Sequence, residues 1–276
     1  MNIKELKEKA KWVRRKLFDV GVKCGQAHLG GALSSVEIVL ALYNGGVLNI
    51  SPDNPEEKDR FVYSKGHNPL AYYTILADNG FFTMEELEKY GTTEMPGHLD
   101  YHTNGVEMTN GSLGHGIGYG IGLAIAKKLD KKDDTIYILM GDTECNEGSV
   151  WEGAMFAAAK KLNNIVAIID NNKFGVQELS THYTGPGLLS EKWSSFGWNT
   201  YEVNGHNIKE LLIVFEDIKK TKSEKPTMII ANTIKGKGIS FMEGNPAWHH
   251  GIPKGEELKQ AYEDLAEKKV EEIIAV

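Results

Sequence analysis

Three carboxylates, Asp142, Glu144 and Glu147, stand in MGDTECNEG at 140–148, directly after the apolar run TIYIL. Thirty residues beyond Asp142 a second apolar run, IVAII, gives way to Asp170, Asn171 and Asn172. A carboxylate and an amide oxygen are hard ligands. Side by side they suit Mg²⁺ or Ca²⁺, with a backbone carbonyl, water and a phosphate-bearing molecule completing the shell. The competing reading is that an acid at a strand end merely caps the helix that follows. The spacing is that of one strand, loop, helix and strand. Both polar clusters can therefore reach the same edge of a parallel sheet, beyond the carboxyl ends of its strands, where ligands of such folds bind.

A glycine-rich stretch, NGSLGHGIGYGIGLAIAKKLD, fills 110–130. It either lets backbone approach a ligand or lets a helix pack closely on the sheet. No GxGxxG with a following strand and ribose-binding acid occurs, and no GxxxxGK[ST], which sets aside dinucleotide and P-loop readings. His28 and His98 stand in short glycine-flanked loops rather than on apolar helix faces. His102, His182 and His206 are read as structural hydrogen-bonders.

The elements that must position these groups follow from periodicity. Ile3, Leu6, Ala10, Val13 and Leu17 recur at steps of three and four, one apolar stripe of a helix. Helical spacing also covers 34–43, 69–79, 83–89, 116–130, 149–162, 208–220 and 255–275. Between these lie β-branched apolar runs at 135–140, 165–170, 200–203 and 227–233. Such runs without alternation suit strands buried on both faces, and their alternation with helices predicts an α/β fold with a mostly parallel, right-handed sheet. Nothing marks an internal boundary, so 1–276 is expected to form a single domain.

At 276 residues, 41% hydrophobic, the chain can bury a large core. A net charge of −7 argues against a nucleic-acid partner, which requires a basic face. The arginines are Arg14, Arg15 and Arg60, so anions must be held by helix N-termini, a metal or a partner. Cys24 and Cys145 form neither a disulfide framework nor a CxxC pair. The N-terminus carries no apolar core of a signal peptide, and no run suits a membrane span. A cytoplasmic location is expected, with no membrane contact.

GDTECNEG followed by IIDNNKF resembles the thiamine diphosphate signature. The blocks AHLGG, YSKGHNPLAYY, PGHLDY, GVEMTNGSLGHGIGYGIG, GDTECNEGSVWEG, IIDNNKF, IKGKG and HHGIP are similar, in order, to the N-terminal segment of transketolases. The resemblance implies the three-layer α/β/α thiamine diphosphate-binding fold, with thiamine diphosphate and Mg²⁺ (or Ca²⁺) as cofactors. It implies that Asp142, Asn172 and the Phe174 carbonyl ligate the metal. His67, Gly111, Leu113, Gly141, Thr143, Asn172 and His250 would meet the cofactor, and His28, His98 and His250 the donor ketose. His249 replaces His250 in those roles if the loop shifts by one. Glu147 and Glu152 match acids that lie at a subunit interface and share protons between two cofactor sites, which gives Glu147 a catalytic role as well. The family usually has glycine where Thr143 stands, proline at Ser112 and glutamine at His115.

The family's activating glutamate, beside the pyrimidine of the cofactor, belongs to a second domain that this sequence does not resemble. The resemblance thus implies one subunit of a split transketolase, of the kind that serves the pentose phosphate pathway. Its partner would be a C-terminal, pyrimidine-binding subunit, in a heterotetramer that keeps the homodimeric contact. The reaction implied is transfer of a two-carbon ketol unit from a ketose, expected to be phosphorylated, to an aldose. Other expectations left open are a subunit of another thiamine diphosphate enzyme, either a specialised sugar-pathway enzyme or a 2-oxo acid dehydrogenase component, and a non-catalytic regulatory subunit.

Overall fold

The computed structural model describes residues 1–50, 52, 59–176, 178–180 and 187–266. Five short apolar segments pair into one sheet: β1 (Arg60–Tyr63), β2 (Ile136–Gly141), β3 (Ile165–Asn171), β4 (Asn199–Asn204) and β5 (Thr227–Asn232). Their order is β1-β2-β3-β5-β4, and every pairing is parallel. Alternate side chains of each strand enter different cores, as the twofold periodicity of a strand requires. Tyr137, Leu139 and Ile168 join one core, while Ile136, Ile138, Met140 and Ile169 join the other.

The first core is covered by α1 (Ile3–Cys24), α2 (Leu29–Ser34), α3 (Val36–Tyr43), α4 (Leu70–Asp78), α5 (Met84–Leu87) and, later in the chain, by the helix Ile208–Lys220. The second is covered by α6 (Gly116–Leu129), α7 (Gly148–Ala159) and α8 (Leu189–Ser195). The helix Ile208–Lys220 is α9, and α10 (Gly255–Asp264) buries Ala261 against the first core. The architecture is the expected α/β/α arrangement, with a sheet that is parallel throughout.

The stripe read from the sequence forms the buried face of α1, with Leu6, Val13 and Leu17 fully inaccessible. Asn2 and Glu5 close a reciprocal capping box at its start. At its end Gly25 takes φ 79°, a left-handed cap that glycine adopts without a Cβ clash.

The structure departs from the sequence expectations at several points. The segment 34–43 is not one helix, because Ser35 ends α2 and its hydroxyl donates to the Ala32 carbonyl at 3.2 Å before α3 begins. β1 and α8 lie outside the expected elements, since β1 is four residues long and α8 buries a single side chain, Trp193. The C-terminal helix runs to Asp264, and the part of that expectation beyond residue 266, like His182, lies outside the described residues. Among the described residues no helix is long and apolar enough to cross a membrane.

Candidate functional site

In the β2–β3 ladder Gly141 pairs with Asp170, and β3 runs one residue further, to Asn171, so Asp142 and Asn172 each follow the end of a neighbouring strand. Asp142 Oδ2 accepts the Lys173 N–H at 2.7 Å, and Oδ1 accepts the Thr143 N–H at 2.9 Å. The two strand ends are thereby tied through one carboxylate. Burial pushes the Asp142 carboxyl up to about 6; a hydrogen bond from Ser180 opposes the shift, and the nearby Asp170 adds to it. Asn172 Oδ1 accepts the Phe174 N–H at 3.2 Å, and its amide nitrogen lies 3.4 Å from Ser34 Oγ. The expected pairing of an acid and an amide at neighbouring strand ends is therefore present.

Beneath them Asp170 is fully buried and gathers three donors: Ser34 Oγ at 2.6 Å, Lys65 Nζ and Thr233 Oγ1. Lys65 also donates to the Gly31 carbonyl at 2.9 Å. Burial alone would discharge this lysine, but the Asp170 carboxylate, together with Tyr63 and Asp142, outweighs it and raises the ammonium above its ordinary value. Glu144, 1% exposed, sits in a short 3₁₀ turn, Thr143–Asn146. Its carboxylate accepts from Ser64 Oγ, from the Gly114 N–H at 2.9 Å and from the Gly141 N–H at 3.1 Å. Desolvation raises its proton affinity while these donors oppose the shift.

A cavity of about 210 Å³ opens at this edge, and Lys65, Asp142, Glu144, Asn172 and Lys235 line it together with backbone at Gly31 and Gly141. Lys235 follows β5; its Nζ donates to the Gly175 carbonyl at 2.5 Å and stands 3.1 Å from His249 Nδ1. Burial lowers it to about 8, near enough to neutrality for the ammonium to give up a proton readily. Gly111 lines the cavity where a Cβ would come within 2.6 Å of the His98 ring, so glycine is what admits that ring.

Five histidines meet at the rim. The His28 ring lies 5.3 Å from His67, 5.9 Å from His98, 5.3 Å from His249 and 4.6 Å from His250. Burial, helped by neighbouring imidazoles and lysine ammonium groups, lowers His28 to about 4, His249 to about 3 and His67 to about 2. These rings are neutral near pH 7, able both to donate and to accept a hydrogen bond.

Of the residues singled out in the sequence, His28, His67, Gly111, Leu113, Gly141, Asp142, Thr143, Asn172 and Phe174 line the cavity. His249 lines it as well, while the exposed His250 stands against His28. His98 reaches the site through the His28 ring and Gly111. Glu147 and Glu152 are exposed, at the cap and on the first turns of α7. Thr143 Oγ1 is buried and has no hydrogen-bond partner among the described residues. Sequence reasoning gave no role to Lys65, Glu144, Asp170 or Lys235, although all four sit inside the quoted blocks YSKGHNPLAYY, GDTECNEGSVWEG, IIDNNKF and IKGKG.

Residues 6–271 match the family described as "Transketolase, thiamine diphosphate binding domain". The chain is 37% identical over 272 residues to an apulose-4-phosphate transketolase subunit of Phocaeicola vulgatus, covering 97% of this chain and 96% of that protein. It is 38% identical over 266 residues to the 6-deoxy-6-sulfo-D-fructose transketolase subunit SqwG of Clostridium sp., covering 95% and 96%. Among solved structures, transketolase from Campylobacter jejuni superposes with a TM-score of 0.89 at 30% identity. That likeness covers 96% of this chain and 43% of the Campylobacter chain, so this chain spans less than half of that protein. Sequence and fold agree: the chain belongs to the transketolase family and corresponds to its thiamine diphosphate-binding domain.

Proposed function

We propose that this chain is the diphosphate-binding subunit of a split transketolase, moving a two-carbon ketol unit from a ketose to an aldose. The observation that carries the reading is Asp142 and Asn172 held side by side over a cavity that also contains two lysine ammonium groups and neutral histidines. The donor set fits a diphosphate with its metal. Among the described residues no cluster of three His, Cys, Asp or Glu side chains forms, so a cation here depends on one carboxylate, an amide oxygen and a carbonyl, completed by phosphate oxygens. Mg²⁺ suits that set, and Ca²⁺ can replace it.

In this reading Asp142, Asn172 and the Phe174 carbonyl hold the metal. His67, Gly111, Leu113, Gly141 and Thr143 form the wall against thiamine diphosphate, and the buried hydroxyl of Thr143 is a donor left for a phosphate oxygen. Thiamine diphosphate, when bound, supplies the electron sink that lets the bond beside the ketose carbonyl break. This chain's part is to orient the sugar and move protons at its hydroxyl groups, through the imidazole nitrogens of His28, His98 and His249 or His250. Glu147 and Glu152, exposed on this chain, are assigned to contact with a second copy in a heterotetramer. The second subunit completes the site from the pyrimidine side.

The names of the relatives support a specialised donor, since apulose-4-phosphate and sulfofructose both carry an anionic group at the far end. A phosphorylated or sulfonated ketose is the substrate class we assign. The two cysteines are free, with Cys145 buried, which supports a reducing cytoplasm. Ketol transfer measured with the chain, its partner subunit, thiamine diphosphate and Mg²⁺ tests the reading. Cofactor binding without ketol transfer to any aldose would count against it.

A further inference from the structure

Two side chains remote in sequence tie the loop that carries Lys235. The Ile234 N–H donates to His206 Nε2 at 2.8 Å, and Arg14 Nε donates to the Lys237 carbonyl at 3.0 Å. Both side chains end on Glu37. Its carboxylate accepts two bonds from Arg14, at 2.7 and 2.6 Å, and lies 3.0 Å from His206 Nδ1. Burial opposes the charge on Glu37, but Arg14 and His206 hold its carboxyl well below the usual carboxylate range. Because a backbone N–H can only donate, His206 Nε2 must accept, and the ring's one proton sits on Nδ1 facing Glu37. A Cβ at Gly205 would come within 2.4 Å of Thr233 Cγ2, so glycine lets the turn after β4 lie close enough for the ring to reach the loop.

The loop needs such ties. Lys235 and Lys65 direct two cationic side chains into one cavity, where the Lys65 charge disfavours that of Lys235. Backbone bonds hold the loop at the lysine as well, Gly236 N–H to the Gly30 carbonyl and Gly244 N–H to the Lys235 carbonyl, each at 2.9 Å. The bonds at Ile234 and Lys237 bracket the lysine itself.

We propose that Arg14, Glu37 and His206 form a positioning bridge for Lys235, in which His206 acts as a neutral imidazole oriented by Glu37 and fixes where the ammonium meets the ligand's phosphate end. What Lys235 meets rests on the function proposed above; the bridge itself does not.

Peptide-resolved acylation of lysine amines, timed on the whole chain without cofactor, tests the bridge. His206→Phe keeps a ring and removes both polar atoms. Labelling of Lys235 is expected to quicken about tenfold, the change that loss of a buried hydrogen bond holding a loop allows. Lys65, held by Asp170 and Gly31, stays slow. His206→Gln, with one donor and one acceptor on a planar group, restores slow labelling. Arg14→Lys keeps a cation beside Glu37 without the fork, and speeds Lys235 too; it decides the matter should His206→Phe fail to fold. Unchanged Lys235 labelling, or Lys65 rising in step with it, overturns the bridge. With thiamine diphosphate and Mg²⁺, His206→Phe should weaken binding in the wild-type background but not beside Lys235→Met. Equal weakening in both backgrounds overturns the positioning role. A wild-type chain that bound no cofactor with its partner present would instead count against the proposed function, and the labelling result would still decide the bridge.

Discussion

Glu144 Oε1 accepts the Gly114 N–H at 2.9 Å, so an acid just past β2 fixes a loop that lies 30 residues earlier. The same carboxylate holds Gly141 and Ser64, which joins three walls of the cavity at one buried point. Glu144→Gln replaces one acceptor oxygen by an NH₂ group, which cannot accept from a backbone N–H. The expected loss is about 1–3 kcal/mol of stability, read by urea unfolding. Cofactor affinity should fall with it, and an unchanged unfolding midpoint would remove Glu144 from this role.

Asp142→Ala should abolish metal-dependent thiamine diphosphate binding, beyond the roughly 10–100-fold that loss of an outer partner of a metal ligand brings. The fold should persist, because the substitution orphans two N–H groups, those of Thr143 and Lys173, at a cost of about 1–3 kcal/mol each. Calorimetry with and without Mg²⁺ reads the first effect and thermal melting the second. Affinity equal to wild type would sink the metal assignment.

Acid should destabilise the chain through its histidine cluster. The folded values of His28, His67 and His249 lie below the ordinary 6.5, so at lower pH the unfolded chain takes up protons that the folded chain refuses. Their contribution is therefore complete above about pH 6.5 and is lost as pH falls toward 4. Melting temperatures at pH 7.5 and pH 5 should show the drop, and His28→Asn should make it smaller. A His28 ring that titrates near 6.5 by NMR would contradict the account.

Alanine at His28 or His98 should lower turnover with the partner subunit while cofactor affinity stays near wild type, because these rings stand at the rim above the strand ends. His249→Ala should differ, since it also releases Lys235. Loss of cofactor binding in either rim variant would mean the donor-side assignment is misplaced.

No ketol transfer is expected from the chain alone at saturating thiamine diphosphate and Mg²⁺, and full activity should appear on mixing with the second subunit. Robust turnover without any partner refutes the split-enzyme reading.

Much of the scaffold was legible because it obeys local rules. The stripe from Leu6 to Leu17 became a buried helix face, and the runs before Asp142 and Asn172 became neighbouring strands, because burial on both faces leaves an unbroken apolar signature. β1 escaped because RFVY is too short to stand out from its surroundings. The charged groups beneath the site escaped for a different reason. Lys65 and Asp170 are 105 residues apart, and nothing local tells a lysine after a short strand that its partner ends another. His249 and His250 are adjacent in sequence, and only the packing of the loop decides that His249 lines the cavity while His250 stands against His28.

Asp170 has a consequence for how the protein comes into being. Its carboxylate joins Ser34, Lys65 and Thr233, at separations of 136, 105 and 63 residues. Contacts of such long range close late, after the loops between them have been ordered. During synthesis Ser34 and Lys65 precede Asp170, so its counter-charge is already at hand when β3 emerges, while its third donor, Thr233, follows only after β5 has left the ribosome. The floor of the cavity therefore closes only after β5 has joined β3, a step later than the pairing of β2 with β3.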